Sequence, residues 1–120
     1  MGKEIPAFTK LYDIILWLMP QVEKFPRDMK FTLGDRIINI LLDALEMLIE
    51  AAYVKDKEPL LKKFSLQIEK TRVFLRLSKD REALSIKKYE YISKEMDELG
   101  RMTGGWLKAE RGKDLQKPLA

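Results

Sequence analysis

Apolar residues recur at spacings of three and four along four segments of this chain, and this period constrains the fold most. The segments cover roughly residues 7–24, 33–54, 58–80 and 85–110. Such a repeat places apolar side chains on one face of an α-helix, and no stretch shows the alternation of an amphipathic strand. Because the connectors are short, the pattern predicts an all-α, antiparallel up-down-up-down four-helix bundle.

Length and composition limit the number of domains and the cell compartment. The chain has 120 residues, 46% of them hydrophobic, which suits one domain with one core. We assign residues 1–111 to the bundle and residues 112–120 to a disordered basic tail. No apolar run approaches the roughly 18 residues of a membrane span, and the N-terminus lacks a signal-peptide pattern. We therefore expect a cytoplasmic protein with no membrane partner.

The residue inventory argues against catalysis. Histidine and cysteine are both absent, which removes the usual general base, thiolate nucleophiles and the Glu-x-x-His pairs of di-iron bundles. Carboxylates at helical spacing, such as Glu46 and Glu50, are typical of a solvated helix face. We expect no enzyme activity, no metal and no cofactor.

Local signals predict where the helices begin and end. Pro20 predicts a kink or a break in the first helix, and Phe25-Pro26 ends it. The second helix begins with a capping box, Thr32-x-x-Asp35. Side-chain N-caps are thus predicted at three positions: Thr32, Asp56 and Ser85.

Glycines in the last segment leave two alternatives. Gly100, Gly104 and Gly105 precede Trp106, and each costs roughly 1 kcal/mol relative to alanine inside a helix. Either the helix frays or breaks there, or the small residues let a neighbouring helix come close. Gly112 is expected to stop the helix.

Two helices carry more apolar surface than one core can cover. The second helix is apolar on nearly every side, and the third has an extra strip of Leu66, Val73 and Leu77. Self-association is the simplest way to bury this surface.

Charge is divided between the same helices: residues 32–54 hold one basic and four acidic residues, whereas residues 59–81 hold seven basic and two acidic ones. This asymmetry predicts an anionic partner or packing of one helix against the other.

A basic arc on the third helix is the main functional lead. It contains Lys62, Arg72, Arg76 and Lys79, with Glu69 among them. A lysine-rich helix face commonly serves solubility alone, but arginine can also grip phosphates or carboxylates through its fixed fork.

Three motifs resemble a known family. FPRDMKFTLGDRI at 25–37, RVFLRL at 72–77 and ELGRMTGGWLK at 98–108 look like the accessory variability determinant of diversity-generating retroelements, over roughly residues 8–110. The chain is more distantly similar to the four-helix proteins encoded in intervening sequences of 23S ribosomal RNA genes. It shares their Phe-Pro turn but lacks their first-helix Trp-x-x-Ala pattern.

The resemblance implies a homopentameric barrel of bundles with a basic surface. Such a barrel binds the element's reverse transcriptase and RNA or DNA, and it supports mutagenic copying of a template repeat. The family's paired arginines correspond to Arg72 and Arg76, and its last-helix and connector motifs supply Arg101 and Arg27. With neighbouring lysines, the candidate nucleic-acid- or partner-binding residues are Arg72, Arg76, Lys79, Lys62, Arg27, Lys30 and Arg101.

Three functions remain open from the sequence. The first is a reverse-transcriptase accessory subunit that binds nucleic acid. The second is an intervening-sequence-type bundle of unassigned role, and the third is a structural oligomer without nucleic acid. A reverse-transcriptase gene and a template repeat next to this gene would distinguish the first from the others.

Overall fold

The structure of the chain, a computed structural model, describes residues 6–115. Four long helices are α1 (Pro6–Glu23), α3 (Asp35–Ala51), α4 (Glu58–Asp80) and α5 (Ile86–Leu115), and a short helix, α2 (Arg27–Met29), leads into a π-helical turn (Lys30–Gly34) before α3. Within this range there is no strand, which confirms the predicted all-α bundle. None of the described helices has the length and hydrophobicity needed to span a membrane.

The helices surround one core in the order α1, α3, α4, α5. Both α1 and α4 contact α3 and α5, so α1 lies diagonally across from α4. The Arg111 side chain near the end of α5 pairs with Glu58 at the start of α4, with 3.0 Å between Nε and Oε1. This pair shows that α4 and α5 run in opposite directions.

All four long helices contribute to the fully buried core: Leu11, Leu18, Leu41, Leu48, Phe64, Leu75, Ile92 and Met96. Each such side chain contributes roughly 1.5–3 kcal/mol.

A charged cluster joins α1 to α5 beside this core. Lys10 Nζ lies 2.6 Å from Glu95 Oε2 and 2.9 Å from Glu98 Oε2. The hydrogen bond to Glu95, and then that to Glu98, raise the pKa of the Lys10 ammonium. One cation thus holds two carboxylates that would otherwise repel each other.

The connector between α1 and α3 differs from the prediction. The first helix continues through Pro20 without a break. The predicted capping box at Thr32 is wrong, because Thr32 lies inside the π-helical turn and its hydroxyl donates to the Asp28 carbonyl at 3.0 Å. The Asp35 amide at the start of α3 bonds to the Lys30 carbonyl. The preceding turn therefore satisfies this amide, and α3 has no side-chain cap.

Gly34 fixes how closely this connector approaches α1. It is buried, and a Cβ added to it would lie 2.6 Å from Val22 Cγ1. Any larger side chain would force the turn away from α1.

The other two predicted caps form hydrogen bonds at helix starts. Ser85 Oγ accepts a hydrogen bond from the Lys88 amide at 3.2 Å, three residues into α5, which confirms the prediction. Asp56 Oδ1 accepts one from the Glu58 amide at 3.3 Å, although Lys57 is the residue directly before α4.

The glycines of α5 do not interrupt the helix. It runs unbroken from Ile86 to Leu115, so the first of the two alternatives, a break at these glycines, is ruled out, and the stop predicted at Gly112 is wrong. Core packing continues along this stretch: Thr103 is buried, and Trp106 and Leu107 pack against the core. This packing outweighs the low helix propensity of the glycines. Residues 116–120 of the predicted tail lie outside the described residues.

Candidate nucleic-acid interface

Arg72, the centre of the predicted arc, lies between α4 and α5. Its Nη1 donates to the Asp97 carboxylate, and its Nη2 donates to the Met96 carbonyl at 3.2 Å. Its Nε lies 3.4 Å from Glu69 Oε1. The same Nη2 would be 3.2 Å from a Cβ added to Gly100. Arg72 therefore ties two helices together, and Gly100 gives its guanidinium room.

The remaining residues of the α4 arc also have acidic neighbours. Lys79 Nζ lies 3.1 Å from Asp80 Oδ1 and 5.0 Å from the centre of the Tyr89 ring. Arg76 Nε is 3.9 Å from Asp80 Oδ2, but its side chain remains 72% exposed. Arg76 thus keeps most of its donors in solvent and can still bind an anion.

Lys62 belongs to a small network at the start of α4. Its Nζ lies 3.3 Å from Glu58 Oε1, which also pairs with Arg111. The hydrogen bond from Arg111, followed by that from Lys62, lowers the pKa of the Glu58 carboxyl. Because Glu58 stays ionised, part of the Lys62 charge is balanced locally.

The last three predicted residues lie on other surfaces. Arg27 is exposed in α2. The Lys30 ammonium lies 5.4 Å from the centre of the Phe31 ring, and Lys30 lines a depression together with Glu23 and Asp35. Arg101 is exposed on α5. The seven predicted residues therefore do not form one cluster: four are on α4, two on the connector and one on α5.

Arg101 belongs to a regular basic row that the sequence interpretation missed. The row consists of Lys87, Lys94, Arg101 and Lys108, one residue in every seven along α5. All four are exposed, and none has an ion pair or hydrogen-bonded side-chain partner among residues 6–115. Seven residues make nearly two helical turns, so the four cations share one side of α5. The signal that could have found them is this seven-residue spacing of basic residues.

The α5 basic row is long and accessible. At about 1.5 Å per residue, its first and last members are about 31 Å apart along the helix axis. Gly104 and Gly105 lie between Arg101 and Lys108, and an added Cβ at either glycine would meet no atom within 4 Å. The second alternative for the glycines, close approach of a neighbouring helix, is therefore not met at Gly104 and Gly105 within the described chain. At these two glycines the α5 backbone beside the row is exposed to solvent.

Fold and surface define a class: a small four-helix bundle with rows of basic side chains on two helices. The row on α4 is partly neutralised, and the row on α5 has no partners within residues 6–115. The family model described as bAvd-like matches residues 7–110 of the chain. This match covers nearly the whole bundle, so the chain belongs to the bAvd-like family, and the resemblance seen in the three motifs is confirmed. A comparison with curated proteins finds no match.

Proposed function

We propose that this chain is a non-enzymatic accessory subunit of a diversity-generating retroelement. It assembles in the cytoplasm as a homopentamer, binds the element's reverse transcriptase, and holds RNA or DNA while the template repeat is copied with mutations. Membership in the bAvd-like family supports this assignment. The part of this proposal that concerns nucleic-acid binding rests on the α5 basic row.

The row has the physical properties of a polyanion-binding surface. Its four cations lack partners among the residues that the structure describes, so binding a phosphate does not require breaking an ion pair within that range. Release of counterions from the nucleic acid drives such binding, and affinity falls as salt rises. The bare backbone at Gly104 and Gly105 lets a strand approach the helix closely. The α4 arc differs, because Arg72 and Lys79 already contact acidic side chains.

Charge reversal in the middle of the row tests this proposal. The Lys94→Glu/Arg101→Glu variant changes two exposed side chains outside the core. We expect its affinity for single-stranded RNA to fall at least about tenfold at low salt, and the slope of log affinity against log salt to decrease by about two. Fluorescence anisotropy with a labelled oligonucleotide at several salt concentrations measures both quantities.

A control variant with the same change in net charge separates the row from overall charge. Lys24 and Lys55 are exposed and lie outside α5, and neither has a side-chain ion pair in the described range. The Lys24→Glu/Lys55→Glu variant should keep most of the affinity. Equal losses of RNA affinity in the two variants would contradict binding at the α5 basic row. Unchanged binding by both would favour a structural oligomer. Copurification of the same proteins with the polymerase measures docking separately.

A further inference from the structure

An open depression between the start of α3 and the second half of α4 combines two aromatic rings with polar side chains. We call it the α3–α4 depression. Its volume is about 720 Å³, and both Phe31 and Phe74 line it. The other lining residues are Thr32, Leu33, Asp35, Arg36 and Asn39. This volume is in the range of sites that bind small organic groups.

The turn before α3 holds Phe31 in an exposed position. Phe31 belongs to the π-helical turn, and its side chain is 60% exposed. No aromatic ring among residues 6–115 stacks on it. The turn itself is fixed, because the absence of a Cβ at Gly34 lets it pack against Val22 of α1. Phe31 therefore contributes little to the core and presents its ring to solvent from a defined place.

Phe74 and the polar residues lie on the two long helices that border the depression. Phe74 on α4 is partly buried and packs against the core. Arg36 and Asn39 are three residues apart on α3, so they are neighbours on one face. Arg36 is exposed and has no ion pair within residues 6–115. Its guanidinium is therefore free to bind an anion, while the Asn39 amide can both donate and accept hydrogen bonds.

These groups correspond to the parts of one unstacked nucleotide. A nucleobase stacks on aromatic rings whatever its identity, and its edge carries donors and acceptors suited to the Asn39 amide and the Asp35 carboxylate. Its phosphate supplies the negative charge that Arg36 lacks. The Lys30 ammonium, 5.4 Å from the centre of the Phe31 ring, is a second cation nearby. An apolar side chain of a protein partner would contact the rings but leave these polar groups without partners.

We propose that the α3–α4 depression binds one unstacked base of a single-stranded RNA that is also held by the α5 basic row. This inference rests on the nucleic-acid binding proposed above and adds a second site for the same strand. Lys87, the first residue of the row, lies at the end of the bundle where α3 begins and α4 ends, and the bundle is 22 Å wide. About ten nucleotides cover the row and about seven more cross this width, at about 3.4 Å per phosphate. A strand of about twenty nucleotides can therefore occupy both sites.

Removing the bases from the RNA separates stacking from phosphate binding. The two probes are a twenty-nucleotide RNA and an abasic strand with the same number of phosphates, compared by fluorescence anisotropy. The wild type should bind the ordinary RNA at least about fivefold more tightly, because stacking on the rings is lost with the abasic strand. Phe31→Leu keeps an apolar side chain without a ring and should lose most of this preference, whereas Phe31→Tyr should retain it. Tyr53→Leu removes a 79% exposed ring outside the depression and is the matched control, which should also retain it.

Photo-cross-linking locates the stacked base directly. An RNA with one 5-iodouridine forms an adduct with an aromatic side chain that stacks on this base, and mass spectrometry of the digest should place the adduct at Phe31 or Phe74. Adducts confined to other residues would overturn the proposal. So would loss of polymerase copurification by Phe31→Leu with its preference for bases intact, since the depression would then bind protein.

The base-binding site and the α5 basic row can fail separately. If the wild type binds both strands equally while Lys94→Glu/Arg101→Glu still weakens binding, the depression is not a base site and the proposed function stands. If the wild type binds neither strand, both proposals are overturned.

Discussion

The charge of Arg72 is satisfied by contacts within the bundle. Its guanidinium contacts Asp97 and the Met96 carbonyl on α5 and Glu69 on its own helix. The sequence places Arg72 correctly on the same helix as Arg76, one turn away. It does not reveal that α5 brings an acid and a carbonyl to Arg72 but not to Arg76, because that depends on the register between two helices.

Replacing these two arginines in turn separates a structural from a surface role. Arg72→Met removes charge-assisted hydrogen bonds between helices and should lower the free energy of unfolding by about 1–2 kcal/mol. Arg76→Met is the matched control, since Arg76 is 72% exposed, and should change it by less than about 0.5 kcal/mol. Urea denaturation followed by circular dichroism measures both. Equal stabilities of the two variants would show that the α4–α5 tie contributes nothing.

At the scale of elements, periodicity predicts the four long helices well and their ends less well. The starts of α4 and α5 agree with the sequence because Asp56 and Ser85 bond nearby amides. The start of α3 does not agree. There the chain from Arg27 to Gly34 is already helical, and a π-helical turn supplies the hydrogen-bond acceptors that a capping side chain would otherwise provide. Close packing of this turn against α1, which Gly34 permits, is a tertiary effect with no local sequence signal.

Because α5 is continuous, replacing its exposed glycines should change the free energy of unfolding. At Gly104 and Gly105 the backbone is helical, and an added Cβ would meet no atom of the described residues within 4 Å. Gly104→Ala should therefore raise the free energy of unfolding by about 0.5–1 kcal/mol through helix propensity alone. Gly100→Ala is the control and should gain less, because its Cβ would come within 3.2 Å of Arg72 Nη2. Thermal midpoints of the two variants and the wild type give the comparison. Destabilisation by Gly104→Ala would instead indicate a close neighbour at this position in the assembled protein.

At the scale of the whole molecule, the sequence shows the unequal distribution of charge but not which surfaces it forms. The net charge of +4 conceals an acidic α3 and a basic α4. Among the predicted binding residues, Arg101 is the one on the α5 basic row. The seven-residue spacing of the other members can be read from the sequence, but it places them on one surface only if α5 continues past its glycines. Residues 86–115 form one helix because core packing continues it past four glycines. Family membership, by contrast, could be inferred from short motifs alone.

Assembly and nucleic-acid binding combine in a prediction about oligonucleotide length. One α5 basic row covers about 31 Å, which about ten nucleotides span at about 3.4 Å per phosphate. In the proposed homopentamer, longer strands would contact the rows of several copies, and such contacts raise apparent affinity without any new kind of interaction. Val73→Glu places a charge among the exposed apolar residues Leu66, Val73 and Leu77 of α4 and should prevent assembly, but it leaves every residue of the row unchanged. This variant should therefore bind a ten-nucleotide RNA as the wild type does. It should bind a forty-nucleotide RNA at least about tenfold more weakly. Anisotropy titrations with the two RNAs test this, with Tyr53→Glu, at a 79% exposed residue outside α5, as the assembled control. Equal loss of affinity for both lengths would place nucleic-acid binding at Leu66, Val73 and Leu77 of α4 rather than on α5.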